Sequence, residues 1–190
     1  KSTDIKINAS TVDTLTFEAG AAISLNLNQE NFASGKGNQS DTTFAKAMLT
    51  ANNKTNTATE HYYMYLDISE NTFTYTQDEN TPEILLTIKD ANGNAITSIT
   101  GLTHKTVTDG KGASISGFDI TTKKEAITLF NNREITANPT KTEQWNITVT
   151  FVNYNSNQAG NAGKNFTAKL MIQKEKILTL AEHVISQYTG

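Results

Sequence analysis

No cysteine occurs among the 190 residues, which excludes a disulfide framework, a zinc–thiolate site and a thiol nucleophile. Proline is reduced to Pro82 and Pro139, and charged residues make up 18% of the chain. No apolar run approaches the roughly 18 residues needed to span a bilayer as a helix. The formal charge of −3 and a pI near 5.6 give no basic footprint, which excludes nucleic acid as the expected partner. The chain opens at Lys1 without a signal-peptide apolar segment, so its start reads as processed or trimmed.

Catalytic signatures are missing too. His61, His104 and His183 sit in separate segments, and Glu60-His61 runs opposite to the H-E-x-x-H order of zinc peptidases. "GASISG" at 112–117 does not follow a strand-to-helix transition and is no nucleophile elbow. Asp78 and Glu79 are adjacent on a loop, which gives no cleft-spanning acid/base pair. "DANGN" (90–94) has its glycine at the fourth place of a would-be calcium loop and lacks the closing glutamate, so it reads as a turn. "TDGKG" (108–112) also reads as a turn, with a cation on Asp109, Asp119 and loop carbonyls as the alternative. No cofactor or metal is expected.

What is present is threonine and asparagine in abundance. Threonine is β-branched and suits half-exposed pleated surfaces; asparagine favours turns and tolerates positive φ. Period-2 alternation recurs along the chain. Ile5 and Ile7 mark an N-terminal strand, Leu15 and Phe17 a second, and Ile23, Leu25 and Leu27 a third. The stretch 28–41 reads as a loop, and 43–49 and 60–68 as a strand pair. In the latter, Tyr62, Met64, Leu66 and Ile68 share one face, and Tyr63, Tyr65 and Asp67 the other. Residues 83–99 give the strongest hairpin signal, two apolar runs around Asn92-Gly93. "ISGFDI" (115–120) and "EAITLF" (125–130) read as edge pieces.

Two long strands follow. Trp145, Ile147, Val149 and Phe151 share a face of one, and Phe166, Ala168, Leu170 and Ile172 a face of the other. They read as a hairpin around a polar surface tip, "NYNSNQAGNAGKN". Only at 176–188 does the period change, with Ile177, Leu180, Ala181, Val184, Ile185 and Tyr188 at helical spacing. This predicts a short C-terminal amphipathic helix over 176–190, leading into a downstream region or docked on its own domain. Short strands punctuated by turns predict an all-β, Ig-like or jelly-roll sandwich over 1–175. Residues 76–82 are the one candidate boundary.

Two binding or modification ideas arise from residue type alone. Tyr63 and Tyr65, opposite the apolar face of their strand, could form an aromatic platform for a glycan, or be a cross-strand pair covering a sheet. Lys6 and Asn165 are the natural candidates for a Lys–Asn isopeptide. The sequons at Asn8, Asn38, Asn53, Asn146 and Asn165 carry little weight in a chain so rich in Asn and Thr.

"WNITVTFVNYNSNQAGNAGKNFTAKLMIQ", with "ENTPEILLTIKDANGNAITSITGLT", "GFDIT" and "LTLAEHVISQYTG", resembles segments of uncharacterised Firmicutes exported surface proteins. Their organisation is in turn similar to the TasA/camelysin group. The resemblance implies a secreted or cell-surface sandwich that builds extracellular fibres, in which one subunit's N-terminal segment completes the next subunit's sheet. The matching donor strand here is Lys1 to Ala9, with Ile5 and Ile7 as the inserted side chains. Such a head-to-tail contact does not close and generates filaments. The partner is then another copy of the chain. The alternative is an adhesin-like module that engages a glycan or host protein through exposed loops. An enzyme is the least expected outcome.

Overall fold

The computed structural model describes residues 12–27 and 36–177. The N-terminal segment with Ile5 and Ile7, and the helix expected over 176–190 beyond Ile177, lie outside the described residues. Among the described residues ten strands follow one another: β1 (Thr14–Ala19), β2 (Ile23–Asn26), β3 (Gln39–Thr50), β4 (Ala58–Asn71), β5 (Ile84–Asp90), β6 (His104–Thr108), β7 (Ser114–Asp119), β8 (Ile127–Ala137), β9 (Thr140–Phe151) and β10 (Asn165–Gln173). They form a six-stranded sheet in the order β1-β3-β9-β5-β7-β6 and a four-stranded sheet in the order β2-β10-β4-β8. All pairings are antiparallel. The fold is an all-β sandwich, and its sheets draw on strands from both sides of residues 76–82.

Alternation explains the packing. In β9, Trp145, Ile147, Val149 and Phe151 are buried while Gln144, Asn146, Thr148 and Thr150 lie towards the outer face. Outer hydroxyls pair across strands, Thr42 with Thr148 at 2.9 Å and Ser40 with Thr150 at 2.8 Å. Phe166, Ala168 and Leu170 of β10 and Tyr62, Met64, Leu66 and Ile68 of β4 close the core from the smaller sheet. Fully burying one such aliphatic side chain contributes about 1.5–3 kcal/mol.

Four expectations need correction. The segments 43–49 and 60–68 are not a strand pair, because the first lies in β3 of the larger sheet and the second in β4 of the smaller. β9 and β10 are not a hairpin: β9 lies between β3 and β5, whereas β10 lies between β2 and β4. The apolar faces meet across the core as predicted, but the linking residues cross from one sheet to the other. Alternation assigns a face, not a hydrogen-bonding neighbour.

The hairpin at 83–99 is a turn with only one true strand. Its second arm is reduced to a single bridge, Lys89 to Ala95. Gly93 adopts φ 85° and donates its N–H to the Asp90 carbonyl at 3.0 Å, while Asp90 Oδ1 accepts from the N–H groups of Asn92 and Asn94. The same arrangement recurs at 109–113, with Gly112 at φ 84° and Asp109 Oδ1 accepting from Lys111 and Ala113. In both turns the backbone donors hold the aspartate below the ordinary carboxylate range. Finally, "ISGFDI" is internal, since β7 lies between β5 and β6, whereas "EAITLF" does lead into an edge strand, β8.

Candidate functional site

The crossover from β9 to β10 is far from a polar tip. Gln158 and Asn161 are buried, as is Asn153, and only part of the segment faces solvent. The reason is Glu83, which is fully buried just before β5. Its Oε1 accepts from Gln158 Nε2 and Asn161 Nδ2, both at 2.9 Å. Thr76 contributes its backbone N–H to Oε2, and its hydroxyl lies 3.0 and 2.8 Å from the two carboxylate oxygens. A buried carboxylate is tolerated only when its oxygens are saturated with donors; here every donor is neutral.

Each amide is fixed at its other end. Gln158 Oε1 accepts the Tyr154 N–H at 2.9 Å, and Gln158 Nε2 also donates to the Val152 carbonyl. Asn161 pairs with Thr74 twice, Oδ1 accepting its N–H at 2.9 Å and Nδ2 donating to its carbonyl at 2.8 Å. Tyr154 donates its hydroxyl to the Pro82 carbonyl. Burial, then the negative charges of Glu83 and Asp119, raise its phenol well above the ordinary range. Thr121 Oγ1 accepts from the N–H groups of Glu83 and Ile84 and donates to Asp119 Oδ1, whose Oδ2 takes the Tyr75 hydroxyl. Burial and that bond push Tyr75 up to about 12. Asn71, also buried, donates to the carbonyls of Ile120, Thr121 and Lys123.

At one flank the crossover docks onto the 109–113 turn. Asn155 Nδ2 donates to the Gly110 carbonyl, and Gly110 N–H donates to the Asn153 carbonyl. A Cβ on Gly110 would lie 2.6 Å from Asn155 Cγ and 2.8 Å from its backbone nitrogen. Gly110→Ala should therefore cost about 1–3 kcal/mol through overpacking, read as a lower urea midpoint; an unchanged midpoint would refute the docking.

A second polar cluster joins the sheets. Arg133 of β8 makes a bidentate pair with Glu143 of β9, Nε to Oε1 at 3.0 Å and Nη2 to Oε2 at 2.8 Å. The Tyr62 hydroxyl donates to Glu143 Oε1 at 2.7 Å and accepts Trp145 Nε1 at 2.8 Å. The Arg133 guanidinium sits over the rings of Trp145 (4.6 Å) and Phe130 (5.1 Å). Burial alone would raise Glu143, yet the bonds from Arg133 and Tyr62 hold it below the carboxylate range. Stacking and forked hydrogen bonding use the particular geometry of arginine. This cluster clamps the two sheets to each other.

Of the predicted platform, Tyr63 is half-buried and Tyr65 only 5% exposed. Their rings stack at 6.2 Å and 7°, but Tyr65 is covered, its hydroxyl accepting the Ile177 N–H at 2.9 Å. The expectation that both rings face solvent therefore fails for Tyr65. The chain leaving β10 crosses that face. His61 lies on the surface 3.7 Å from Glu134, and His104 packs edge-on against Phe118 at 5.0 Å; His183 is outside the described residues. Asn165 lies beside Glu70 and Thr72, and Lys6 is not described. Among the described residues, no group of three or more His, Cys, Asp or Glu is placed to hold a metal ion.

The smaller sheet has one further feature. β8 is its edge, and a groove of about 1170 Å³ runs along it, lined by Ile99, Leu102, Ile127, Leu129 and Phe130 with Arg133 and Lys176. The class that the fold defines is a two-sheet antiparallel sandwich. No protein family, no curated protein and no solved structure matches this chain.

Proposed function

We propose that the chain is a non-enzymatic, exported bacterial surface protein, a fibre or matrix subunit that assembles by donor-strand exchange. The observation that carries this reading is the edge of β8, which no other strand among the described residues covers, beside its groove. Four strands face six, so the smaller sheet has room to grow on that side. An open edge offers backbone hydrogen bonds to an incoming strand, and the apolar residues set among the groove's mostly polar lining offer places for alternate side chains. Ile5 and Ile7 of a second copy are two residues apart in the sequence, the spacing that places side chains on one face of a strand.

Deleting residues 1–9 should leave a folded protein that forms no filaments under the electron microscope, whereas the full-length chain forms them at raised concentration. A full-length chain that stays monomeric at every concentration, by light scattering and microscopy, overturns the proposal.

A further inference from the structure

The buried carboxylate at the crossover has the parts of a reaction, and we infer that Thr76 and Gln158 become joined by a self-generated ester cross-link with Glu83 as its acid–base group. The nucleophile is the Thr76 hydroxyl, 3.0 and 2.8 Å from the two oxygens of Glu83. The electrophile is the Gln158 carboxamide carbon. Its oxygen already accepts a fixed backbone N–H from Tyr154 at 2.9 Å, the kind of preorganised donor that stabilises a tetrahedral oxyanion. Its nitrogen donates to Glu83 Oε1 at 2.9 Å. One carboxylate thus touches both the group that must lose a proton and the group that must gain one, which meets the geometric requirement for nucleophile and base.

The step balances within the chain. Glu83 takes the hydroxyl proton as Thr76 Oγ1 bonds to Gln158 Cδ. The tetrahedral intermediate then expels the nitrogen, to which Glu83 returns the proton. The products are an ester and one ammonia, and no oxidant, metal or cofactor is needed. Loss of ammonia into bulk solvent draws the reaction forward, and the full burial of Glu83 keeps water from competing with the hydroxyl.

Asn161 also contacts Glu83, but Thr74 holds both ends of its amide. Gln158 is also held at both ends, by the Tyr154 N–H and the Val152 carbonyl, but its side chain is one methylene longer and reaches further towards Thr76. The cross-link would tie the segment between β4 and β5 to the segment between β9 and β10. It is independent of whether the protein forms filaments.

The test is the intact mass of the purified full-length chain under denaturing conditions, expected to be one ammonia lighter than the sequence. Trypsin should then leave residues 55–89 joined to residues 142–164, and hydroxylamine should separate them. Thr76→Val and Glu83→Gln should each restore the full mass and unlinked peptides. A wild-type mass equal to the sequence overturns the inference. So does ammonia loss with the two peptides separate, or a link that fragmentation places at Asn161. A Glu83→Gln chain that still carries the link removes Glu83 from the chemistry. The wild-type measurement decides even where a variant fails to fold.

Discussion

Trp145→Ala is expected to lower stability by about 3–5 kcal/mol, the cost of emptying a large aromatic site in a close-packed core. The indole is 5% exposed and meets the Phe130 ring edge-on at 4.7 Å. It is also the floor on which the Arg133 guanidinium lies. Trp145→Phe separates the two contributions. It keeps most of the apolar surface but removes the Nε1–H that the Tyr62 hydroxyl accepts, so it should cost about 1–3 kcal/mol for the smaller ring and the lost bond. Urea unfolding followed by tryptophan-independent circular dichroism reads both. A loss under about 1 kcal/mol for the alanine variant would mean that Trp145 is not a packing centre.

The second large effect is at Glu83. Glu83→Ala leaves the Thr76 N–H and hydroxyl, the Gln158 amide and the Asn161 amide facing a void. Each unsatisfied buried donor costs about 1–3 kcal/mol. The contributions are coupled through one site, so the total is expected to exceed about 3 kcal/mol without reaching their sum. Glu83→Gln preserves the volume yet points an NH2 group at donors, and should recover only part of the loss. If Glu83→Ala unfolds at the same urea concentration as the parent, the network is not holding the crossover.

Much of the architecture was legible from side-chain alternation. The inward faces of β2, β4, β9 and β10 follow directly from Ile23, Leu25, Tyr62, Met64, Trp145, Ile147, Phe166 and Leu170. Sheet membership was not, because β3 and β9 pair along their whole lengths across about a hundred intervening residues, and no local signal encodes such a partner. The second arm of the 83–99 hairpin failed for a different reason. Asn92-Gly93 reports the turn faithfully, but the returning arm bonds β5 only around Ile88 and Lys89, because further along the same edge Leu85 and Leu86 are taken by β7.

The site was hidden by a rule applied in one direction. Asn and Gln in a loop suggest surface residues because they are polar, yet a carboxamide is also the natural donor for a buried carboxylate. Thr74, Thr76, Glu83, Gln158 and Asn161 converge from segments whose spacing carries no period. The one available signal was Glu83 itself, the charged residue at the head of the apolar run Ile84, Leu85 and Leu86. Such a run belongs to a strand covered on both faces, and a glutamate at its mouth must find partners. The tyrosine platform misled for the converse reason: facing away from the core is not the same as facing water when the chain itself passes over.

The central place of β9 has a consequence during synthesis. Strands β3 and β5 emerge from the ribosome long before the residue that ends β9, Phe151, exists to lie between them. Until then both carry unpaired ladders, and the larger sheet is two separate fragments. Such non-local closure makes folding slow and leaves strand edges open to other molecules. A nascent chain therefore offers a neighbour two pairing edges that the finished sandwich conceals, and these edges are where association during synthesis is expected to begin.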